Sequence, residues 1–200
     1  MEESGSGGRI MSTVPAPRLA VWEVTETGGV ESAWLTLDGL ALTARGRAAG
    51  QRPGPYWLAY DLDTDDMAAT TRLRVTAETP AGSRHADLRR GPDGWTLDGQ
   101  PRPDLAGALD CDLECCPVTN TMPVLRHGLH LGPGRREFTM AFVSVPGLQV
   151  VPVRQSYQYL GARPGGTLVR YQAGSFSQDL TFDSGGLVLD YPTMARRIRA

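Results

Sequence analysis

Lysine is absent from this sequence of 200 residues, and all 20 of its basic residues are arginine. The absence excludes enzymes that form a Schiff base on their own lysine and nucleotide sites that need the lysine of a P-loop. The formal net charge is -2 at pH 7, so the chain as a whole has no electrostatic attraction to nucleic acids. A run of about 18 apolar residues, which a membrane-spanning helix requires, is also missing. We therefore predict no nucleic-acid partner and no integral membrane segment.

Cysteine is scarce, and its three copies are crowded into one stretch as Cys111, Cys115 and Cys116. An odd number of cysteines placed so close together does not build a disulfide framework across a fold. Residues 1–17 are rich in Gly, Ser and Pro and contain no apolar run of signal-peptide length. These features predict a cytoplasmic protein in which a disordered leader, residues 1–17, precedes a single domain, residues 18–200.

Glycine and proline are abundant, with 24 and 15 copies, and they separate short segments in which apolar and polar residues alternate. Alternation with a period of two is typical of antiparallel strands that have one buried face. In the clearest case, Leu73 and Val75 share one face of a strand, while Arg72 and Arg74 share the other. About fourteen segments follow the pattern: 19–25, 31–37, 40–47, 57–63, 71–78, 85–90, 94–97, 109–113, 137–145, 149–154, 156–160, 167–173, 175–182 and 187–191.

Helical patterns are few and short. Capping residues precede the segment from Thr121 to His127, Pro123 lies in its first turn and Gly128 follows its end, which together predict a helix. A second helix is predicted over 193–199, because Pro192 precedes it and arginines lie toward its C-terminal end. A sheet of more than about 10 strands curls, splits or closes on itself. We therefore predict an all-β, mainly antiparallel barrel, sandwich or roll, a shape that encloses cavities.

Acidic residues and histidines in the second half of the chain form a candidate catalytic or metal site. Asp110, Asp112 and Glu114 alternate, so their carboxylates share a face if the segment is a strand. His127 and His130 follow within reach of a fold-back. One interpretation is an enzyme that processes a lipid or a sugar, which requires a carboxylate and an imidazole to converge. The simpler interpretation is structural, with these acids solvated or paired with arginine, so we predict no catalytic residue, no bound metal and no cofactor.

Several motifs resemble the signature of one known family. A D-x-D strand at 110–112 leads into a P-x-T-N-T-x-P segment at 117–123, and Arg126 follows it. The resemblance continues at 145–148 (VPGL), 155–157 (QSY), 183–192 (DSGGLVLDYP) and Arg196. Together these motifs resemble the bacterial family named "Putative glycolipid-binding", over nearly the whole chain after residue 17. Met122 and Leu125 depart from the family pattern, which has leucine at the first position and a basic residue at the second.

The resemblance implies a spiral β-roll, in which a sheet of about 14 to 15 strands wraps around one short α-helix. This architecture is similar to the half-barrels of bacterial lipoprotein carriers, and the helix at Thr121 to His127 is the expected central helix. The resemblance also implies non-catalytic binding of an amphipathic ligand, a glycolipid or another long-chain lipid, in a cavity between sheet and helix. The predicted ligand-binding residues are polar residues at matching motif positions: Asp112, Asn120, Arg126, Gln155, Tyr157 and Arg196.

These residues also have structural interpretations, and the binding hypothesis has two rivals. Asn120 is a candidate helix cap, while Arg126 and Arg196 are candidate ion-pair partners of Asp110 and Asp190. The first rival is the enzyme that uses the acidic residues and histidines described above. The second is a structural module that self-associates and takes no small ligand. A large sheet with exposed edges often pairs with a second copy, so a homodimer is also predicted.

Overall fold

The computed structural model describes residues 15–198, and these form one curled sheet around a short helix. The fifteen strands are β1 Arg18–Val24, β2 Gly29–Asp38, β3 Ala41–Gly50, β4 Tyr56–Thr64, β5 Thr70–Thr79, β6 Gly82–Gly91, β7 Gly94–Leu97, β8 Gln100–Pro101, β9 Asp110–Leu113, β10 Arg135–Val143, β11 Val150–Arg163, β12 Gly166–Ala173, β13 Phe176–Phe182, β14 Val188–Tyr191 and β15 Ala195–Arg197. The helix α1 is Thr121–Arg126, and two single-turn 3-10 helices span Pro103–Leu105 and Pro117–Asn120.

The strand order is β8-β7-β6-β5-β4-β3-β2-β1-β15-β14-β13-β12-β11-β10-β9. The chain thus runs from the middle of the sheet to one edge, crosses to the opposite edge, and returns to the middle beside β1. Neighbouring strands are antiparallel except β9 and β10, which are parallel and are joined through α1. The predicted all-β roll around one helix is confirmed.

Thr70, the first residue of β5, links that inner strand of the curled sheet to the edge strand β9. Its backbone N–H donates to the carbonyl of Leu109 (3.0 Å), and its hydroxyl accepts the backbone N–H of Cys111 (3.2 Å). The edge strand β9 therefore lies against the start of β5 and is protected from solvent. A sheet of this many twisted strands buries its faces by curling in this way.

The two faces of the sheet differ as the alternation predicts. Leu73 and Val75 are buried inside the roll, whereas Arg72 points outward and forms a bidentate ion pair with Asp87 on β6 (both bonds 2.8 Å). Such an outer-face pair contributes little to stability and mainly keeps the face polar.

The helix α1 joins two hydrophobic clusters. Met122 packs in the larger cluster, which is built mainly by β1 to β7, and Val124 packs in the smaller one, which is built by β11 to β14. Both side chains are fully buried, and Gly128 ends the helical region with a positive φ of 59° while its N–H donates to the carbonyl of Leu125. The predicted central helix is confirmed within one residue at its C-terminus.

The predicted C-terminal helix over 193–199 is wrong. Ala195–Arg197 form the strand β15, which occupies the gap between β1 and β14. As a strand, these three residues form backbone hydrogen bonds with both β1 and β14. One isolated helical turn would be less stable, because helix nucleation is costly. Arg199 lies outside the described residues, as do residues 1–14 of the predicted leader.

Two smaller differences concern strand boundaries. The segments predicted at 149–154 and 156–160 form the single long strand β11, which carries a bulge between Tyr159 and Gly161. The two-residue strand β8 was not predicted, because it is too short to alternate. Among residues 15–198, none of the helices has the length and apolar character needed to cross a membrane.

Candidate functional site

Four of the predicted ligand-binding residues form a buried polar cluster beside the start of α1. Asp112 on β9 accepts hydrogen bonds from the amide of Gln155 on β11 and from the hydroxyl of Thr119 (3.0 Å). The side-chain amide of Asn120 donates to the hydroxyl of Tyr157 on β11 (2.9 Å). All of these side chains are buried, so the cluster is a rigid element of the site.

The cluster exists because β9 is buried on both faces. Cys111 and Leu113 point into the larger hydrophobic cluster, and the alternation then places Asp110 and Asp112 on the opposite face, toward α1. Burial raises the pKa of Asp112, and the hydrogen bonds from Gln155 and Thr119 act against that shift. The two donors therefore stabilise the ionised form of the buried Asp112 side chain.

Arg126 is held in an ion pair inside the protein. Its guanidinium forms a bidentate pair with Asp110, one bond of which measures 3.1 Å. Both side chains are almost completely buried, and burial raises the pKa of Asp110 to about 6 although Arg126 opposes the shift. This geometry matches the structural interpretation of Arg126.

Arg196 forms no hydrogen bond with this cluster in the described structure. It lies on β15, largely exposed, and its Nε donates to Asp190 on β14 (3.2 Å). The two residues are a cross-strand pair, which is again the structural interpretation.

The two histidines do not join the acidic residues. His127 stacks on Phe138, with ring centroids 5.2 Å apart, and the Nδ1 of His130 lies 3.4 Å from the carbonyl oxygen of Val124. Neither imidazole is hydrogen-bonded to a carboxylate of the described chain, and burial lowers the pKa of both. The convergence that the enzyme alternative needs is not present in residues 15–198, and no group of three metal-ligating side chains occurs there either.

A pocket of about 280 Å³ opens beside the buried polar cluster. Its walls come from the β9–α1 connection and from the β1–β2, β12–β13 and β14–β15 turns. We call it the Tyr171 pocket and define it by Glu26, Asp112, Asn120, Tyr171, Phe176 and Tyr191.

Tyr171 and Tyr191 present free hydroxyl groups to this pocket. Their side chains are only 7% and 5% exposed, yet neither hydroxyl is hydrogen-bonded to any residue that the structure describes. Burial raises the pKa of both phenols, so they remain protonated donors at neutral pH. Neither oxygen is among the fully buried polar atoms that lack a partner, so both hydroxyls are accessible from the pocket and available to a ligand.

The sequence analysis did not select these two tyrosines as ligand-binding residues. A signal was available for Tyr191, which lies in the motif at 183–192 that carries the family resemblance. Tyr171 had only its position on an alternating strand. Its ring lies 5.3 Å from that of Tyr157 and 5.9 Å from that of Tyr191, a grouping that only the folded sheet creates.

The thiols of Cys115 and Cys116 form part of the pocket wall. Burial raises the pKa of Cys115 to about 12, and it also raises the pKa of Cys116. Both stay protonated and act as small apolar side chains.

Behind Cys116 lies a buried acid that the sequence analysis missed. Glu31 on β2 is completely buried, accepts a hydrogen bond from the hydroxyl of Tyr60, and has a second oxygen without a partner. Burial raises its pKa to about 8. Glu31 is in phase with the inward-facing Ala33, so the alternation itself held the signal.

The expected cavity between sheet and helix takes a different form. Met122 and Val124 fill the space along α1, and open pockets adjoin the two ends of the helical segment. One is the Tyr171 pocket, and the other, of about 460 Å³, is bordered by Leu125 and His130.

The chain was compared with known families, curated proteins and solved structures. The model of the family described as "Putative glycolipid-binding" matches residues 19–197. A crystal structure of a DUF1089 family protein from Pseudomonas aeruginosa is similar, with a TM-score of 0.70, 27% identity, and coverage of 98% of this chain and 100% of that one. A β-barrel-like protein of DUF1849 from Brucella abortus shares the fold at 8% identity, with a TM-score of 0.51 and coverage of 94% and 98%. None of the curated proteins matches significantly.

Proposed function

The chain belongs to the family described as "Putative glycolipid-binding", and on that premise we propose that it binds the sugar headgroup of a glycolipid in the Tyr171 pocket without altering it chemically. The observation that carries the proposal is the pair Tyr171 and Tyr191, buried residues whose accessible hydroxyls have no partner in the described chain and line one pocket. The amide of Asn120 and the carboxylate of Asp112 line the same space.

The chemistry of the lining suits a sugar ring. A sugar has apolar C–H faces and an edge of hydroxyl groups, so it fits a site that combines aromatic rings with a few placed polar groups. Phe176, Tyr171 and Tyr191 supply the rings. The hydroxyls of the two tyrosines, together with Asn120 and Asp112, supply the hydrogen bonds. The volume of about 280 Å³ lies just below the range of about 300 to 1,000 Å³ for small-molecule pockets, which suits a ligand portion as small as a single ring.

The lipid chain would lie outside this pocket. Phe176 is partly exposed at the rim, where its ring faces both the pocket and solvent. An apolar chain that leaves past this ring gains about 25 cal/mol for each Å² of surface removed from water.

Binding without catalysis is supported by the state of Asp112. Its two oxygens accept hydrogen bonds from Thr119 and Gln155, which fix it as an acceptor, and both imidazoles of the second half point elsewhere. A general acid or base needs a partner to exchange its proton with.

The test is binding of octyl glucoside, below its micelle concentration, measured by saturation-transfer NMR and calorimetry. Tyr171→Phe and Tyr191→Phe each remove one hydroxyl and should weaken binding by about 2- to 10-fold, the value of one hydrogen bond. Stability should not change, because neither hydroxyl is bonded within the protein. Tyr159→Phe, on β11 and outside the pocket, is the matched control. Absence of octyl glucoside binding, or equal affinity in all three variants, would refute the proposal.

A second candidate is self-association through the outer face of the sheet. Leu19, Trp34 and Trp57 are exposed there, on β1, β2 and β4. Exposed tryptophans favour an interaction surface. Sedimentation equilibrium would test the predicted homodimer, since a monomer mass at micromolar concentration would exclude it.

A further inference from the structure

Among the residues that the structure describes, the charged groups that line the Tyr171 pocket are all acidic. Glu26, Asp112 and Glu114 contribute carboxylates, and none of the lining residues is an arginine or a histidine. Acidic groups alone do not define a ligand site. Here Tyr171 and Tyr191 supply a second, independent observation. These residues are only 7% and 5% exposed, yet their hydroxyls have no partner in the described chain and are accessible from the same pocket.

We infer that the headgroup bound in the Tyr171 pocket carries no negative charge and is a neutral sugar or an amino sugar. The inference rests on the proposed function and narrows its ligand class. A phosphate, sulfate or uronate group would have to enter a partly desolvated pocket that already holds negative charges. The repulsion between these like charges would select strongly against such a headgroup.

The carboxylates are held where they can accept donors from the ligand. The backbone N–H of Val145 donates to one oxygen of Glu114 (2.7 Å), which orients that side chain. Asp112 accepts one hydrogen bond on each oxygen, and a carboxylate has about four acceptor positions. Sugar hydroxyls or an ammonium group can fill the remaining positions, whereas an anion cannot.

Arginines near the pocket are already paired or lie elsewhere. Arg126 is paired with Asp110 inside the protein. Arg135, Arg136 and Arg154 line a separate groove of about 620 Å³ around β10 and β11. Within residues 15–198, no positively charged side chain lines the Tyr171 pocket, so none of these residues compensates an anionic headgroup there.

The experiment compares three octyl glycosides that differ in charge: the neutral glucoside, the cationic glucosaminide at pH 6, and the anionic glucuronide. Each is titrated into the full-length protein at low salt. We expect the glucoside and the glucosaminide to bind, and the glucuronide to bind at least tenfold more weakly. The difference in affinity between the glucuronide and the glucoside should become smaller in 1 M salt and in the double variant Glu26→Gln/Glu114→Gln. In that variant the amide oxygen at position 114 can still accept the hydrogen bond from the backbone of Val145.

The other outcomes separate the inference from the proposed function. If the glucuronide binds as tightly as the glucoside, the inference is overturned and sugar binding stands. If the glucuronide stays weak in the double variant, shape excludes it and the inference is again overturned. If none of the three glycosides binds, the proposed function fails and the inference fails with it.

Discussion

Replacing Glu31 by glutamine should flatten the pH dependence of stability. Glu31 is fully buried between β2 and the segment that carries Cys116, with Tyr60 as its hydroxyl donor. Burial raises the pKa of Glu31 from 4.5 to about 8, so folding favours the protonated form. Its contribution to stability is complete below pH 4.5 and is lost as the pH rises toward 8.

The size of the effect follows from proton linkage. One pKa unit corresponds to about 1.4 kcal/mol. The interval from pH 5 to pH 7 lies between the unfolded pKa of 4.5 and the folded pKa of about 8, so over this interval Glu31 holds a proton in the folded protein that it loses on unfolding. The free energy of unfolding should therefore fall by about 2.5 kcal/mol between pH 5 and pH 7 because of this one group. Glutamine has nearly the same shape, accepts from Tyr60, and does not titrate.

The assay is urea unfolding followed by tryptophan fluorescence at several pH values from 5 to 8. The difference in slope between wild type and Glu31→Gln isolates this residue from other titrating groups, such as Asp110, whose pKa burial also raises. Glu78→Gln is the matched control, because Glu78 is exposed on β5 and its loss should leave the slope unchanged. Parallel curves for wild type and Glu31→Gln would show that Glu31 is ionised in the folded protein, and the reasoning would be wrong.

Two further substitutions test the packing that supports the site. Gly46→Ala should cost about 1 to 3 kcal/mol in urea unfolding, because a Cβ at Gly46 would lie 2.0 Å from the ring of Tyr60, whereas Gly54→Ala, in open space, should cost almost nothing. Arg126→Met should cost about 3 to 5 kcal/mol by leaving Asp110 buried and unpaired. Adding Asp110→Leu should recover most of that loss, and a double variant as unstable as Arg126→Met alone would contradict this account.

The strands and the central helix could be predicted because their signals are local. Alternation at Leu73 and Val75 assigns an inner face without reference to any other strand, and Gly128 marks the end of α1 from its own backbone preference. The motif from 110 to 126 likewise located the buried polar cluster, since Asp112 and Asn120 lie in one short segment of chain.

The sequence by itself determined which residues face inward, where the chain turns, and which polar residues lie near the helix. The tertiary structure alone decided which of them meet. β15 became a strand because β1 and β14, far apart in the chain, left a gap between them. Tyr171 and Tyr191 came to share a pocket for the same reason. Alternation with a period of two specifies which face of the sheet a residue lies on. The order and curl of the fifteen strands determine which residues become its neighbours, and that order depends on strand pairings between distant parts of the chain.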